Sequence, residues 1–191
     1  VARELNTFFW SEFCDWYIEF SKADLRDDAD PAVRLQTQRN LVFVLDSALR
    51  LLHPAMPFVT EAIWEHLPHA EGEAPALMVA KWPEPETLAK WIDSEAERAV
   101  SLLCSVVGAV RSTRARYGIA PKQELRVVVN AQEGVVEVLR SLEQQIVTMA
   151  RVSELAIEAG AEKPAESAAV VVEGAEVYSV LTGLIDFDAE R

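Results

Sequence analysis

Between residues 51 and 66 the chain runs Leu51-Leu-His-Pro-Ala-Met-Pro-Phe-Val-Thr-Glu-Ala-Ile-Trp-Glu-His66. Two prolines, Pro54 and Pro57, interrupt an apolar helical pattern. Proline lacks a backbone donor and its ring clashes with the preceding turn, so a helix that arrives here must end or kink. A second, short helix is expected to open at Thr60 and to carry Trp64. The segment therefore predicts a bent junction between two helices.

Three further segments carry a resemblance to a known family. They are Phe9-Trp-Ser-Glu-Phe-Cys-Asp-Trp-Tyr-Ile-Glu19, Leu77-Met-Val-Ala-Lys-Trp-Pro83 and Glu176-Val-Tyr-Ser-Val-Leu-Thr-Gly-Leu-Ile-Asp-Phe-Asp-Ala-Glu190. With the proline junction, and in this order, they resemble the valine–tRNA ligases, a family of class I aminoacyl-tRNA synthetases. The resemblance implies the helical anticodon-binding bundle of that family. It also implies that one or two bundle helices precede Val1 and that a coiled coil follows Arg191.

The resemblance implies RNA binding rather than catalysis for these residues. The family attaches valine to its tRNA using ATP, but the signature strings His-Ile-Gly-His and Lys-Met-Ser-Lys do not occur in this sequence. We therefore expect a fragment that is inactive alone, with no cofactor of its own, because ATP binds the catalytic domain of the parent chain. The expected partners are the tRNA for valine, at its anticodon limb, and that catalytic domain.

Composition is consistent with a soluble globular chain. Half of its 191 residues are hydrophobic, which supports a sizeable core without disulfides. The two cysteines, Cys14 and Cys104, lie in apolar helical patterns, and we expect them to be reduced core residues of a cytoplasmic protein. No apolar run reaches the roughly 18 residues that span a bilayer. The chain opens on Val1 instead of methionine, as expected for part of a longer protein.

The net charge of −13 argues against nucleic-acid binding, because an acidic surface repels phosphates. One segment differs. Between residues 111 and 126 the only acid is Glu124, and the bases are Arg111, Arg114, Arg116, Lys122 and Arg126. Two interpretations remain open at this point. The cations contact RNA phosphates, or they lie at a solvated helix end where they meet the negative end of the helix dipole.

Periodicity divides the chain into a helical part and a mixed part. Helices are predicted at 1–25, 31–52 and 91–117, an extended segment at 76–82, strands at 125–130 and 154–158, a helix at 133–151, and a hairpin at 168–181 that turns at Glu173-Gly174. The fold class is therefore mainly α. It comprises an incomplete anticodon-binding bundle over residues 1–117, followed by a small α+β module (β-α-β-β-β) over residues 118–191.

Several polar and aromatic residues have structural interpretations. His53 is expected to bond carbonyls freed at the proline junction. His66 and His69 are expected at a solvated helix terminus, with no further metal ligands nearby. Asp186 and Asp188 resemble an exposed strand end. Tryptophan can stack on unpaired bases, but core packing is favoured for all five tryptophans because each lies on an apolar stripe or beside proline: Trp10, Trp16, Trp64, Trp82 and Trp91.

No catalytic, cofactor or metal site is predicted, and the candidate tRNA contacts are all cations. Arg111, Arg114 and Lys122 are the first choices, and Lys22, Arg26 and Arg39 are the others. Reversing Arg111 and Arg114 to glutamate is expected to weaken RNA binding and spare folding. The alternative function, favoured by the acidic surface, is a non-catalytic helical module for protein interaction or structure that does not bind RNA itself.

Overall fold

A computed structural model describes residues 2–69, 72–120, 122–123 and 125–184. Two compact units divide between Ile92 and Asp93. The helices are α1 (Ala2–Thr7), a π-helix (Phe8–Tyr17), α2 (Ile18–Ser21), α3 (Pro31–Leu52), α4 (Pro57–Trp64), α5 (Pro85–Ala89), α6 (Ser94–Arg116), α7 (Glu133–Ser141) and α8 (Glu143–Ala150). The strands are β1 (Leu125–Ala131), β2 (Val152–Glu158), β3 (Ser167–Val172) and β4 (Ala175–Val180). This architecture confirms the predicted fold class.

The first helical segment differs from its prediction in length and winding. It ends at Ser21 rather than at residue 25, and its middle is π-helical. A π-helix bonds residues five apart, which is wider than the α-helix that the periodicity predicted. Along this wide winding the rings of Phe9, Phe13 and Tyr17 lie above one another, with successive ring centroids 5.8 and 5.9 Å apart.

The bent helix junction is confirmed. Helix α3 begins behind Asp30, whose carboxylate accepts hydrogen bonds from the amides of Ala32 and Val33 at 2.7 and 3.2 Å, as an N-cap does. It ends at Leu52. Helix α4 begins at Pro57, three residues earlier than predicted, because proline fits the first helical position, where no amide donor is needed.

The core of the first unit forms around this junction. Leu49, Trp64 and Leu77 pack together and are almost fully buried. Leu77 lies in a single 3-10 turn over Leu77–Val79, where the sequence predicted a wholly extended segment. Its amide donates to the Glu61 carboxylate at 2.8 Å. This hydrogen bond fixes the turn to α4. Leu77 is therefore buried, while its neighbour Met78 is exposed.

The second unit begins with the long helix α6. Asp93 caps it by accepting from the amides of Glu95 and Ala96, so the helix starts at residue 94 instead of 91. At its other end Gly118 adopts φ +61°, and the Ile119 amide donates to the Arg114 carbonyl at 2.9 Å. This is the left-handed termination that glycine allows, as predicted.

A four-stranded sheet in the order β2-β1-β4-β3 forms the rest of the second unit. Strand β1 pairs in parallel with β2 and antiparallel with β4, and β3 pairs antiparallel with β4 across Glu173-Gly174. The crossover from β1 to β2 contains two helices rather than the predicted one, because the chain breaks helical geometry at Leu142. The hairpin and its turn are as predicted.

Helix α6 packs against α7, α8, β3 and β4. Its buried side chains are Leu103, Val106, Val107, Ala109, Val110 and Thr113. Trp91, which was predicted to lie in this helix and in the core, is exposed. The compact units thus divide at 92/93, while the sequence predicted a domain boundary at 117/118. Which boundary delimits an independently folding domain stays a prediction.

Candidate nucleic-acid interface

Arg114 directs its guanidinium toward the protein backbone. Nη1 donates to the carbonyls of Ala120 and Gln123, and Nη2 donates to the carbonyl of Arg151 at 2.7 Å. Burial, and then the nearby charge of Arg151, lower the pKa of Arg114. This side chain joins the loop after α6 to the residue that ends α8. Arg114 was predicted to contact RNA phosphates, but its described hydrogen bonds are all internal.

Arg111 lies one turn earlier on the same helix face and remains exposed. Its Nη2 donates to the Met149 carbonyl at 3.3 Å. Lys122 is exposed in the loop beside Gln123, and within the described part of the chain it has no hydrogen bond or ion pair. Arg111 and Arg114 therefore lie on one face of α6, and Gln123, the neighbour of Lys122, contacts Arg114. Whether these three cations contact tRNA stays a prediction.

The remaining cations of the basic segment point to other partners. The guanidinium of Arg116 lies 5.6 Å from the ring centre of Tyr117. Arg126 pairs with Glu154 across the parallel strands at 3.3 Å. Arg151 was not among the cations predicted from the sequence, and its backbone carbonyl accepts from the Arg114 guanidinium. No local pattern indicated this, because residues 114 and 151 are brought together only by the packing of α6 on α8.

The candidate cations of the first unit are separated in the sequence and have different contacts. Lys22 pairs with Glu19, and Arg26 lies 3.5 Å from Asp28. Such exposed pairs contribute little stability, yet they place an acid beside each cation. Arg39 lines a groove of about 410 Å³ along α3 together with Phe43, and it has no ion pair among the described residues.

A polar network lies beneath that groove. Asp46 accepts from the Trp64 indole at 2.7 Å and from Arg50 Nε at 2.7 Å. Arg50 also donates to Glu73 at 3.0 Å and to the Lys81 carbonyl at 3.0 Å. The hydrogen bond that Arg50 donates to Asp46 is the main cause that raises the pKa of Arg50. These bonds fix the loop after α4 onto α3, so we interpret the network as structural.

The histidines have mainly structural contacts. His53 Nδ1 lies 2.8 Å from the Thr60 hydroxyl, which itself donates to the Met56 carbonyl at 2.8 Å. The predicted bond from His53 to a freed carbonyl is therefore made through a hydroxyl. His69 is not simply solvated as predicted, because its Nε2 lies 2.9 Å from the Trp64 carbonyl and its ring packs 4.0 Å from the Trp64 ring centre. His66 is exposed, with Nδ1 2.8 Å from the Ala62 carbonyl.

The tryptophans contradict the prediction of uniform core packing. Trp64 is 2% exposed, but Trp10, Trp82 and Trp91 are 59%, 57% and 67% exposed. These three rings lie in separate segments, and each is on the surface of the described part of the chain. Three indole rings are therefore accessible to a partner, and stacking on unpaired bases is one use of such rings.

The cysteines are partly buried, and both are free thiols. Burial is the main cause that raises the pKa of Cys14 and of Cys104, which keeps them protonated and poorly nucleophilic. Over the described residues no group of three or more histidine, cysteine, aspartate or glutamate side chains could hold a metal ion. The same residues contain no helix long and apolar enough to cross a membrane. Asp186 and Asp188 lie outside the described part of the chain.

Residues 1–129 match the anticodon-binding domain of tRNA ligases. Over its whole length the chain is 38% identical to a valine–tRNA ligase of Bacillus cereus and 36% identical to one of Oceanobacillus iheyensis, and it covers 21% of each. It is also 38% identical to a valine–tRNA ligase of Symbiobacterium thermophilum, of which it covers 22%. The chain thus spans about a fifth of the length of the relatives it matches.

Proposed function

Because this chain belongs to the family of anticodon-binding domains of tRNA ligases, we propose that it binds the anticodon limb of the tRNA for valine as part of a valine–tRNA ligase. The observation that carries the proposal is the similarity of all 191 residues to valine–tRNA ligases at 36–38% identity. The parent chain would attach valine to the tRNA with ATP at a catalytic domain elsewhere. This region would hold the tRNA.

The geometry of the first unit supports contacts with unpaired bases. Exposed indoles in the first unit, at Trp10, Trp82 and Trp91, offer surfaces on which unpaired anticodon bases can stack. Base edges in an A-form duplex are poorly accessible, so recognition of the anticodon depends on unstacked bases in the loop. Cations would position the RNA by its phosphates without reading its sequence.

The charge of −13 limits the affinity. We expect the 191-residue chain to bind a valine tRNA transcript weakly, at best near micromolar at low salt, with affinity that falls as salt rises. Filter binding across a salt series measures this. A transcript with an altered anticodon is the control, and weaker retention of that transcript is the expected result.

Two outcomes would contradict the proposal. Equal retention of both transcripts would leave only non-specific electrostatic attraction, and no retention at low salt would favour a module for protein interaction. Trp82→Ala adds a test of stacking, because loss of one stacked base is worth about 1–3 kcal/mol. Trp82 is exposed, so its removal should leave the unfolding midpoint nearly unchanged.

A further inference from the structure

We propose that a groove along α3 binds one unpaired nucleotide of the anticodon limb, with its base stacked on Phe43 and its phosphate held by Arg39. The proposal rests on the proposed function, since it assigns one contact with the tRNA to named residues of the first unit. The groove measures about 410 Å³, and sites for small molecules measure roughly 300–1,000 Å³. We call it the α3 groove, and its walls include Leu35, Arg39, Val42, Phe43, Leu67 and Pro68.

The α3 groove presents an aromatic ring to solvent. Phe43 lies inside α3 and is 47% exposed. Its ring centre lies 6.3 Å from that of the exposed Trp91, so the two rings form one aromatic surface. The Trp91 amide donates to the Leu88 carbonyl at 2.9 Å, which fixes the turn that carries this indole. An unpaired base can stack on such a surface, because every base has a π-face.

A cation lies beside the ring. Arg39 and Phe43 are four residues apart on α3 and therefore share one face of the helix, and both side chains line the groove. Within the described part of the chain, the Arg39 guanidinium has no hydrogen bond or ion pair. The base and the phosphate of a nucleotide are separated by one sugar, so a site for a nucleotide needs a cation beside a stacking surface. Arg39 and Phe43 supply that combination.

The acids of the groove are compensated by cations. Asp46 accepts from Arg50 with both carboxylate oxygens, at 2.7 and 3.0 Å, and Glu73 accepts from Arg50 at 3.0 Å. Arg50 and Arg39 together balance these two carboxylates. Lys90, whose Nζ lies 5.9 Å from the neighbouring indole ring centre, adds a positive charge beside the aromatic surface. A phosphate is therefore not repelled here, although the whole chain has a net charge of −13.

The groove offers few groups for reading the edge of a base. His69 Nε2 lies 2.9 Å from the Trp64 carbonyl, and Asp46 is engaged by the Trp64 indole and by Arg50. Gln38 lines the groove and makes no hydrogen bond among the described residues, so its amide can bond one base edge. Stacking tolerates every base. The α3 groove should therefore contribute affinity more than it selects among bases.

An apolar protein segment could also cover Phe43 and Trp91. Two observations favour RNA instead. An apolar segment has no use for the cation beside the ring, whereas the phosphate of a nucleotide pairs with Arg39. The match to the anticodon-binding domain of tRNA ligases covers residues 1–129, which include every residue of the groove and Trp91.

The first test removes the ring of Phe43 from the 191-residue chain. In filter binding of a valine tRNA transcript at low salt, Phe43→Leu should lose about fivefold or more in affinity, the effect of one stacked base. Phe43→Tyr keeps a ring and should bind as tightly as the unaltered chain. Phe58→Leu is the matched control, at a phenylalanine of α4 that is 90% exposed, and it should leave the affinity unchanged.

The second test removes the charge of Arg39. For Arg39→Gln, the slope of log affinity against log salt should be shallower by about 0.7, as for one lost phosphate contact with a single strand. Arg98→Gln removes the same charge from an exposed position of α6 and should leave the slope unchanged. Both arginines are exposed, so the melting midpoints of the two variants should stay close to that of the unaltered chain.

A series of anticodon stem-loops, each with one loop base removed, connects the ring to a particular base. One member of the series should bind the unaltered chain about fivefold or more weakly than the intact stem-loop does. The Phe43→Leu variant should bind that member as tightly as it binds the intact stem-loop, because the stacking partner of the missing base is already absent. A further loss of the same size in the variant would overturn the inference.

The inference and the proposed function can fail separately. If the unaltered chain binds the transcript and both Phe43→Leu and Arg39→Gln bind it equally well, only the inference fails. Losses of the same size in the control variants would overturn it too, as would a lower melting midpoint of Phe43→Leu with unchanged affinity, which would make the ring structural. If the unaltered chain retains no RNA at low salt, the proposed function and the inference fail together.

Discussion

The side chain of Trp64, which lies in α4, contacts helix α3. Its ring is buried and its indole donates to Asp46 at 2.7 Å. Trp64→Ala should reduce the free energy of unfolding by about 3–5 kcal/mol, through lost burial and a residual cavity. Trp64→Phe should cost about 1–3 kcal/mol, because Asp46 loses one donor. Urea unfolding measures both. Trp10→Ala, at an exposed position, is the control and should change stability by less than about 0.5 kcal/mol.

Arg114 is predicted from the structure to act on stability. Arg114→Met keeps an unbranched stem but removes the guanidinium, so the carbonyls of Ala120, Gln123 and Arg151 lose this donor. We expect a loss of about 1–3 kcal/mol in unfolding free energy. Arg114→Glu should cost at least as much, which replaces the sequence-based expectation that reversal spares folding. Arg116→Met removes the same charge from an exposed site nearby, and an equal loss there would contradict the structural role.

The carboxylate of Glu176 should make stability depend on pH. A hydrogen bond from Tyr178 at 2.6 Å, and then one from Asn130, lower the pKa of Glu176 below its ordinary 4.5. The bond with Glu176 raises the pKa of Tyr178 above 10.0. The depressed carboxyl pKa stabilises the fold above pH 4.5, and this contribution is lost as the pH falls. The raised hydroxyl pKa stabilises it below pH 10, and that contribution is lost as the pH rises.

Tyr178→Phe removes the Tyr178 contribution and the larger part of the Glu176 contribution, because only the hydrogen bond from Asn130 to Glu176 remains. The difference in unfolding midpoint between this variant and the unaltered chain should be largest at neutral pH and should shrink toward pH 3 and toward pH 11. Thermal unfolding over a pH series measures the difference. A difference that stays constant with pH would mean that the lost hydroxyl contact, rather than linked protonation, determines the effect. Tyr117→Phe serves as the matched control.

At the scale of elements, local steric rules predicted the ends and turns well. Pro54 and Pro57 broke the helix, Gly118 ended α6 and Glu173-Gly174 turned the hairpin, because each effect depends on the residue's own backbone geometry. The type of helix and the breaks within a helical segment were predicted less well. The π-helix and the break at Leu142 keep the apolar spacing of a helix, so periodicity does not distinguish them from one continuous α-helix.

Two glycines of the same region test the argument about helix ends. Gly118 has φ +61°, and a Cβ there would meet nothing within 4 Å. Gly118→Ala should therefore cost about 1 kcal/mol of unfolding free energy through backbone strain alone. Gly108 lies inside α6 with similarly open space, so Gly108→Ala should stabilise by about 0.5–1 kcal/mol. Chemical denaturation of both variants checks the signs, and two changes of the same sign would contradict the account.

At the scale of the whole molecule, α6 determines where the chain can be divided. It buries Leu103, Val106, Val107 and Val110 in the second unit. A piece that comprises residues 93–191 should unfold cooperatively, whereas residues 118–191 should not, because the sheet loses the helix that covers it. Circular dichroism during heating, with the spread of backbone amide NMR signals, measures this. Equal folding of both pieces would support the boundary at 117/118 instead.

The sequence by itself determined the fold class, the family and the helix ends that proline or glycine imposes, since these depend on local sterics, periodicity and short strings of residues. It did not determine which side chains remain available to a partner. Arg114 was a free cation in the sequence and is occupied by carbonyls in the fold, while Trp82 and Trp91 looked buried and are exposed. The Arg151 carbonyl came within reach of Arg114 only when α8 packed beside α6. Availability depends on neighbours distant in the chain, and only tertiary packing brings those neighbours into contact.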